Sequence, residues 1–130
     1  MRIDFSNIKP IYIQIAEAIE DEIISGNLRE GEPVYSQLVL ARELNINPAT
    51  AAKGINQLVR KGILIKQRGQ SMTVANKAKE RLLHEKRELS FAKAAKDLVN
   101  QAIKIGVPQE QVIEIIRNLF TNRERSEQGE

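Results

Sequence analysis

The forty residues from Ser36 to Ala75 constrain this 130-residue chain most, because their punctuation leaves few ways to fold them. Ser36 precedes a short run with Leu40, Ala41 and Leu44 on one face, and a serine there caps a helix by accepting from a free backbone N–H. Asn45-Ile46-Asn47 makes a three-residue turn. Asn47-Pro48 then repeats the start signal, with Asn as the cap and Pro at the first helical position. The second helix turns Ala51, Ile55, Leu58 and Val59 inward, and Gly62 is placed to end it. After Gly62 the period changes. Residues 63–66 and 72–75 read as two strands, and the Gly-containing connection 67–71 has hairpin length. Two short helices across a three-residue turn form a helix-turn-helix pattern, and a basic hairpin directly behind it makes the unit a winged one.

The flanks fit around this unit. Pro10 opens an amphipathic helix over about residues 10–25, with Ile11, Ile15, Ile19 and Ile23 at four-residue spacing and Ser25-Gly26-Asn27 as its stop. Leu28 to Tyr35 contains Gly31 and Pro33 and reads as a loop, pinned to the core by Leu28 and Val34. Between Asn76 and Gly106 there is no Pro or Gly, and Leu82, Leu89, Ala92, Val99 and Ile103 fall near heptad spacing. The pattern predicts one helix of about 28 residues, roughly 40 Å long. Gly106 breaks it, and Pro108 starts a last helix with Val112, Ile115, Ile116, Leu119 and Phe120 on one face. The fold class expected is mainly α with a small β-hairpin: a winged helix-turn-helix over residues 8–76, a two-helix dimerisation tail over 77–122, and a disordered polar end at 123–130.

Charge sharpens the division. The net +3 says little, but residues 1–43 sum to −4 and residues 80–130 to zero. Between Glu43 and Glu80 lie 36 residues without a carboxylate, where Lys53, Arg60, Lys61, Lys66, Arg68, Lys77 and Lys79 supply +7. Charge alone fits a solvated basic face and a polyanion-binding face equally well. With no Cys there is no disulfide or thiolate metal site, and no stretch nears the roughly 20 apolar residues of a membrane span. The expectation is a soluble, cytoplasmic protein. Catalysis finds no support: His84 is the single His and has no triad or ligand constellation, and Gly69-Gln70-Ser71 lacks the context of a phosphate loop. No enzyme activity, cofactor or metal is expected.

A helix-turn-helix places the N-terminal half of its second helix in the major groove. That half reads Asn47-Pro48-Ala49-Thr50-Ala51-Ala52-Lys53. Thr50 can donate to a phosphate or base, Ala49 or Ala52 can pack on a thymine methyl, and Lys53 can reach a phosphate or a guanine. Ser36 and Gln37 open the preceding helix, whose N–H groups suit a phosphate. Arg68 at the wing tip can reach the backbone or minor groove, with Gly69 permitting close approach and Gln70 beside it. The candidate DNA surface is therefore Ser36, Gln37, Asn47, Pro48, Ala49, Thr50, Lys53, Arg68, Gly69 and Gln70. The alternative is a winged helix used for protein docking, without specific DNA binding. The tail's wide apolar faces predict a homodimer through Leu82, Leu89, Phe91, Leu98, Val99, Ala102, Ile115, Leu119 and Phe120. Such a C2 dimer would set two recognition helices against half-sites of a roughly palindromic operator, about one helical turn apart. A small-molecule effector, unidentified, could sit between tail and winged domain or at the dimer interface.

These residues also resemble a known family. Pro10-Ile11-Tyr12, Gly26-Asn27-Leu28-Arg29-Glu30-Gly31, Ser36, Leu40-Ala41, Leu44, residues 46–50, Leu58, Gly62 and Arg68-Gly69 look like the winged-helix domain of GntR-family bacterial transcription regulators. The short tail is similar to that of the YtrA-type branch, which implies homodimerisation and repression. Three positions depart from the family pattern. Leu38 and Ala52 stand where the family often has Arg, and Ser71 where it has a wing Gly; the departures imply weaker binding or a different operator preference.

Overall fold

The computed structural model describes residues 1–128. These form two compact units, Met1–Lys86 and a second that begins at Arg87.

In the first unit, α1 (Ile11–Ser25) starts directly after Pro10 and closes at Gly26, whose φ of 88° is left-handed. Its isoleucine spacing becomes a buried stripe of Ile15, Ile19 and Ile23, joined by Ala16. The helix-turn-helix follows as α2 (Gln37–Leu44) and α3 (Pro48–Arg60). Both caps form as the sequence predicts. The Ser36 hydroxyl accepts from the Val39 N–H at 3.1 Å, and Asn47 Oδ1 accepts from the Ala49 N–H at 2.8 Å. Ala51, Ile55 and Leu58 of α3 join Leu40 and Ala41 of α2 in the core.

The wing is shorter than expected but better anchored. Strands β1 (Leu64–Ile65) and β2 (Thr73–Val74) pair antiparallel, Leu64 with Val74 and Ile65 with Thr73. The segment read as a loop supplies a third edge. Pro33 bridges Thr73, the Val34 N–H donates to the Met72 carbonyl at 2.7 Å, and the Val74 N–H donates to the Glu32 carbonyl at 3.0 Å. Proline, which has no N–H to donate, is tolerated there because it stands on the outer edge.

The predicted 28-residue helix forms over residues 78–105, but with a π-helical segment inside it. It comprises α4 (Ala78–Glu85), the π-helical segment (Lys86–Phe91) and α5 (Ala92–Ile105). Helix α4 packs on α1, and Ala78 and Leu82 are fully buried in the winged unit's core. Leu82 is therefore corrected from a dimerisation residue to a core residue, and the unit extends ten residues past 76, to Lys86. Polar contacts fasten the same junction. Arg81 donates Nη1 to the Gly62 carbonyl at 2.9 Å and Nη2 to the Lys61 carbonyl at 2.8 Å. Lys61 Nζ bridges the buried Glu20 at 3.2 Å and Glu85 at 2.9 Å. Burial by itself would lower the Lys61 pKa, but the Glu85 hydrogen bond and the Glu20 charge outweigh it and raise the pKa above 10.5.

In the second unit, α5 ends at Gly106 with φ 76°, and α6 runs over Gln109–Gln128. The sequence placed 123–130 in a disordered end; residues 123–128 instead continue α6, where Arg123 and Glu127 pair across one turn at 3.4 Å. Residues 129–130 lie outside the described residues. Ala102 is buried, Val107 and Val112 are half-buried, and the large apolar side chains around them are exposed.

Candidate nucleic-acid interface

Nine of the ten residues expected on the DNA surface are exposed, and Thr50 is half-buried. They cluster on three elements of the winged unit. Pro48, Ala49, Thr50 and Lys53 lie on the first half of α3, following Asn47, while Ser36 and Gln37 stand at the start of α2. Arg68, Gly69 and Gln70 form the wing tip, where the Gln70 N–H donates to the Gln67 carbonyl at 3.2 Å. Gly69 has φ 72° and no neighbour within 4 Å of where a Cβ would stand, so conformation, not crowding, selects glycine there.

The caps qualify two of these residues. Ser36 and Asn47 each commit an oxygen to their own helix. The hydroxyl proton of Ser36 and the amide NH2 of Asn47 remain as donors toward an acceptor such as a phosphate. Neither α2 nor α3 carries an acid in its first turn; α1 and α5 also lack one, whereas α4 has Glu80 and α6 has Glu110 there. The positive N-terminal ends of α2 and α3 are thus left unneutralised by their own side chains.

The seven cations of the acid-free segment do not act alike. Lys61 is consumed between Glu20 and Glu85, carboxylates from α1 and α4. Lys53 is held differently: its Nζ lies 4.1 Å from the centre of the Tyr12 ring. Arg68 and Lys66 are exposed and make no ion pair among the described residues. Leu38, in the family's Arg position, is 61% exposed on the first turn of α2 and presents an apolar side chain beside the capped end.

Two contributors escaped sequence reasoning. Tyr12 is one, because nothing local links residue 12 to residue 53. Gly54 is the other. A Cβ there would fall 2.8 Å from the Tyr12 carbonyl oxygen, so α1 and α3 cross with their backbones nearly touching. An isolated glycine inside a helical pattern was the available signal.

Of the expected dimerisation residues other than Leu82, Leu89, Phe91, Leu98, Val99, Ile115, Leu119 and Phe120 are exposed, and Ala102 is buried within its own unit. Leu98, Ala102, Val112 and Ile115 line one apolar groove of the second unit, and Val99, Ile103, Val112 and Ile113 line part of another. No helix among the described residues is long and apolar enough to cross a membrane.

Comparison with known proteins agrees with this layout. The family described as bacterial regulatory proteins, gntR family, matches residues 11–74. The HTH-type transcriptional repressor YtrA of Bacillus subtilis is 29% identical over 92% of this chain and 91% of its own length. A GntR family transcriptional regulator from Listeria monocytogenes superposes with a TM-score of 0.72 at 26% identity, covering 88% of this chain and 98% of that one. BusR of S. agalactiae, in complex with its busAB-promotor DNA, superposes with a TM-score of 0.54 at 25% identity over 88% of this chain and 55% of that one. The gntR family, YtrA and the Listeria protein are transcription regulators, not enzymes.

Proposed function

Because residues 11–74 form a gntR-family helix-turn-helix domain, we propose that this chain is a sequence-specific transcriptional repressor that binds a palindromic operator as a homodimer in the cytoplasm. The observation that carries the reading is the exposed, acid-free surface built from the capped ends of α2 and α3 and the wing tip. The first half of α3 reads bases, with Thr50 and Lys53 as donors and Ala49 against a thymine methyl. Ser36, Gln37 and Asn47 set the register on phosphates, and Arg68 follows the backbone or minor groove from the wing. YtrA is a repressor by name, and its similarity along most of both chains supports the same direction of control here.

The exposed apolar side chains of α5 and α6 support pairing through the tail. Leu98, Val99, Ile115, Leu119 and Phe120 on so small a unit make a surface that favours a protein partner over water. Pairing also matters for affinity, since a single small module buries little DNA surface. Footprinting upstream of its own operon tests the reading: a protected, roughly palindromic site is expected. Lys53→Ala or Arg68→Ala should weaken binding and reduce the salt slope by about one unit per lost phosphate contact. Absence of any retarded promoter fragment at low salt would favour the protein-docking alternative.

A further inference from the structure

We propose that Tyr12 is a positioning residue for DNA contact, holding the Lys53 ammonium in place on α3 before DNA arrives. The inference rests on the reading of Lys53 as a phosphate or guanine contact. Its basis is the 4.1 Å separation between Lys53 Nζ and the centre of the Tyr12 ring. Lysine has a long flexible stem and loses much rotamer freedom when a contact fixes it. A ring face beneath the ammonium removes part of that freedom in the unbound protein, so less remains to be lost on binding.

The identity of the partner matters as much as its presence. Lys9, Lys61 and Lys93 are held by carboxylates at 2.8–3.2 Å, which cancel their charge toward any third group. Tyr12 orders Lys53 through the ring quadrupole and carries no formal charge. Lys53 is therefore ordered without a carboxylate against it, and the ammonium N–H groups turned away from the ring stay available to an anion. Ordering by Asp or Glu would have spoiled the very contact it prepared.

Gly54 makes the arrangement possible. It follows Lys53 directly, and its missing side chain lets the Tyr12 backbone come close enough for the ring to reach the lysine. The Tyr12 carbonyl oxygen lies 2.8 Å from where a Cβ at residue 54 would be, so the crossing itself sets the spacing between ring and ammonium.

The test is a double-mutant cycle on a labelled duplex selected from a random pool by the parent protein, titrated at several salt concentrations. Tyr12→Leu should weaken binding about three-fold without changing the salt slope, because no phosphate contact is lost. Lys53→Ala should weaken binding and lower the slope, and adding Tyr12→Leu to it should cost nothing more. Tyr12→Phe, which keeps the ring, should bind as the parent does. In the free protein the Lys53 ε-methylene protons should resonate upfield from the ring current, a measurement that needs no variant. Equal weakening by Tyr12→Leu with and without Lys53 would overturn the proposal, as would absence of the upfield shift in the parent. Parental affinity and slope in Lys53→Ala would instead overturn the underlying reading of Lys53 as a DNA contact, and this proposal with it.

Discussion

Gly54→Ala gives a demanding check on the packing of the winged unit, because two opposing effects can be weighed. Alanine is favoured over glycine in a helix interior by about 1 kcal/mol. Against that, the new Cβ would stand 2.8 Å from the Tyr12 carbonyl oxygen and 3.0 and 3.1 Å from Ile15 Cγ2 and Cβ. Close carbon–oxygen contacts run at about 3.3–3.6 Å, so α1 and α3 must separate by roughly half an ångström or more. The oxygen is backbone inside a helix and cannot rotate away, and Ile15 is fully buried. Overpacking of this kind costs about 1–3 kcal/mol, and immobile neighbours put this case in the upper half. The net expectation is a loss of about 1–2 kcal/mol, which lowers Tm by roughly 5–10 °C in a unit this size. Urea unfolding followed by far-UV circular dichroism measures it, at one fixed protein concentration because any association would shift the midpoint. Asn56→Ala, at an exposed site of the same helix, should be neutral or slightly stabilising. A Gly54→Ala protein as stable as the parent would refute the claim that the two backbones meet there.

Leu82→Ala should cost about 2–5 kcal/mol of stability in chemical unfolding, as a fully buried leucine does, whereas Leu119→Glu should leave the winged unit folded and shift sedimentation from dimer to monomer. Lys61→Met leaves Glu20 buried beside an apolar side chain and should destabilise by about 1–3 kcal/mol. The pH dependence has a defined sign. A lysine whose pKa is raised on folding contributes stability that is fully present below 10.5 and lost as pH rises through the raised value. Thermal melts of parent and Lys61→Met should therefore converge above pH 10.5, and a difference that widens with pH would contradict the ion-pair assignment.

Local chemistry made much of this chain legible. Ser36, Asn47-Pro48 and Gly26 act within a few residues of themselves, so the helices they bound could be placed from sequence. What stayed hidden depends on distant partners. Leu82 and Leu89 sit seven residues apart in the same heptad pattern; packing against α1 puts one at 0% exposure and leaves the other at 65%. Lys61 counted as one of seven free cations, because its partners lie 41 and 24 residues away. Residues 32–34 looked like a loop, since an edge strand with a proline is recognisable only beside the strand it borders. The site followed the same rule: its exposed residues could be named from the pattern, but the ring beneath Lys53 could not.

The neutral caps of α2 and α3 separate what the fold requires from what the surface requires. A helix start accepts Asp as readily as Ser or Asn, and its dipole would welcome the added negative charge. Folding alone therefore has no reason to prefer Ser36 and Asn47 over aspartate. A polyanion does, since a carboxylate at either cap would face it with like charge. Positions where an acid would suit the helix and the chain nonetheless stays uncharged are those an anionic partner would favour.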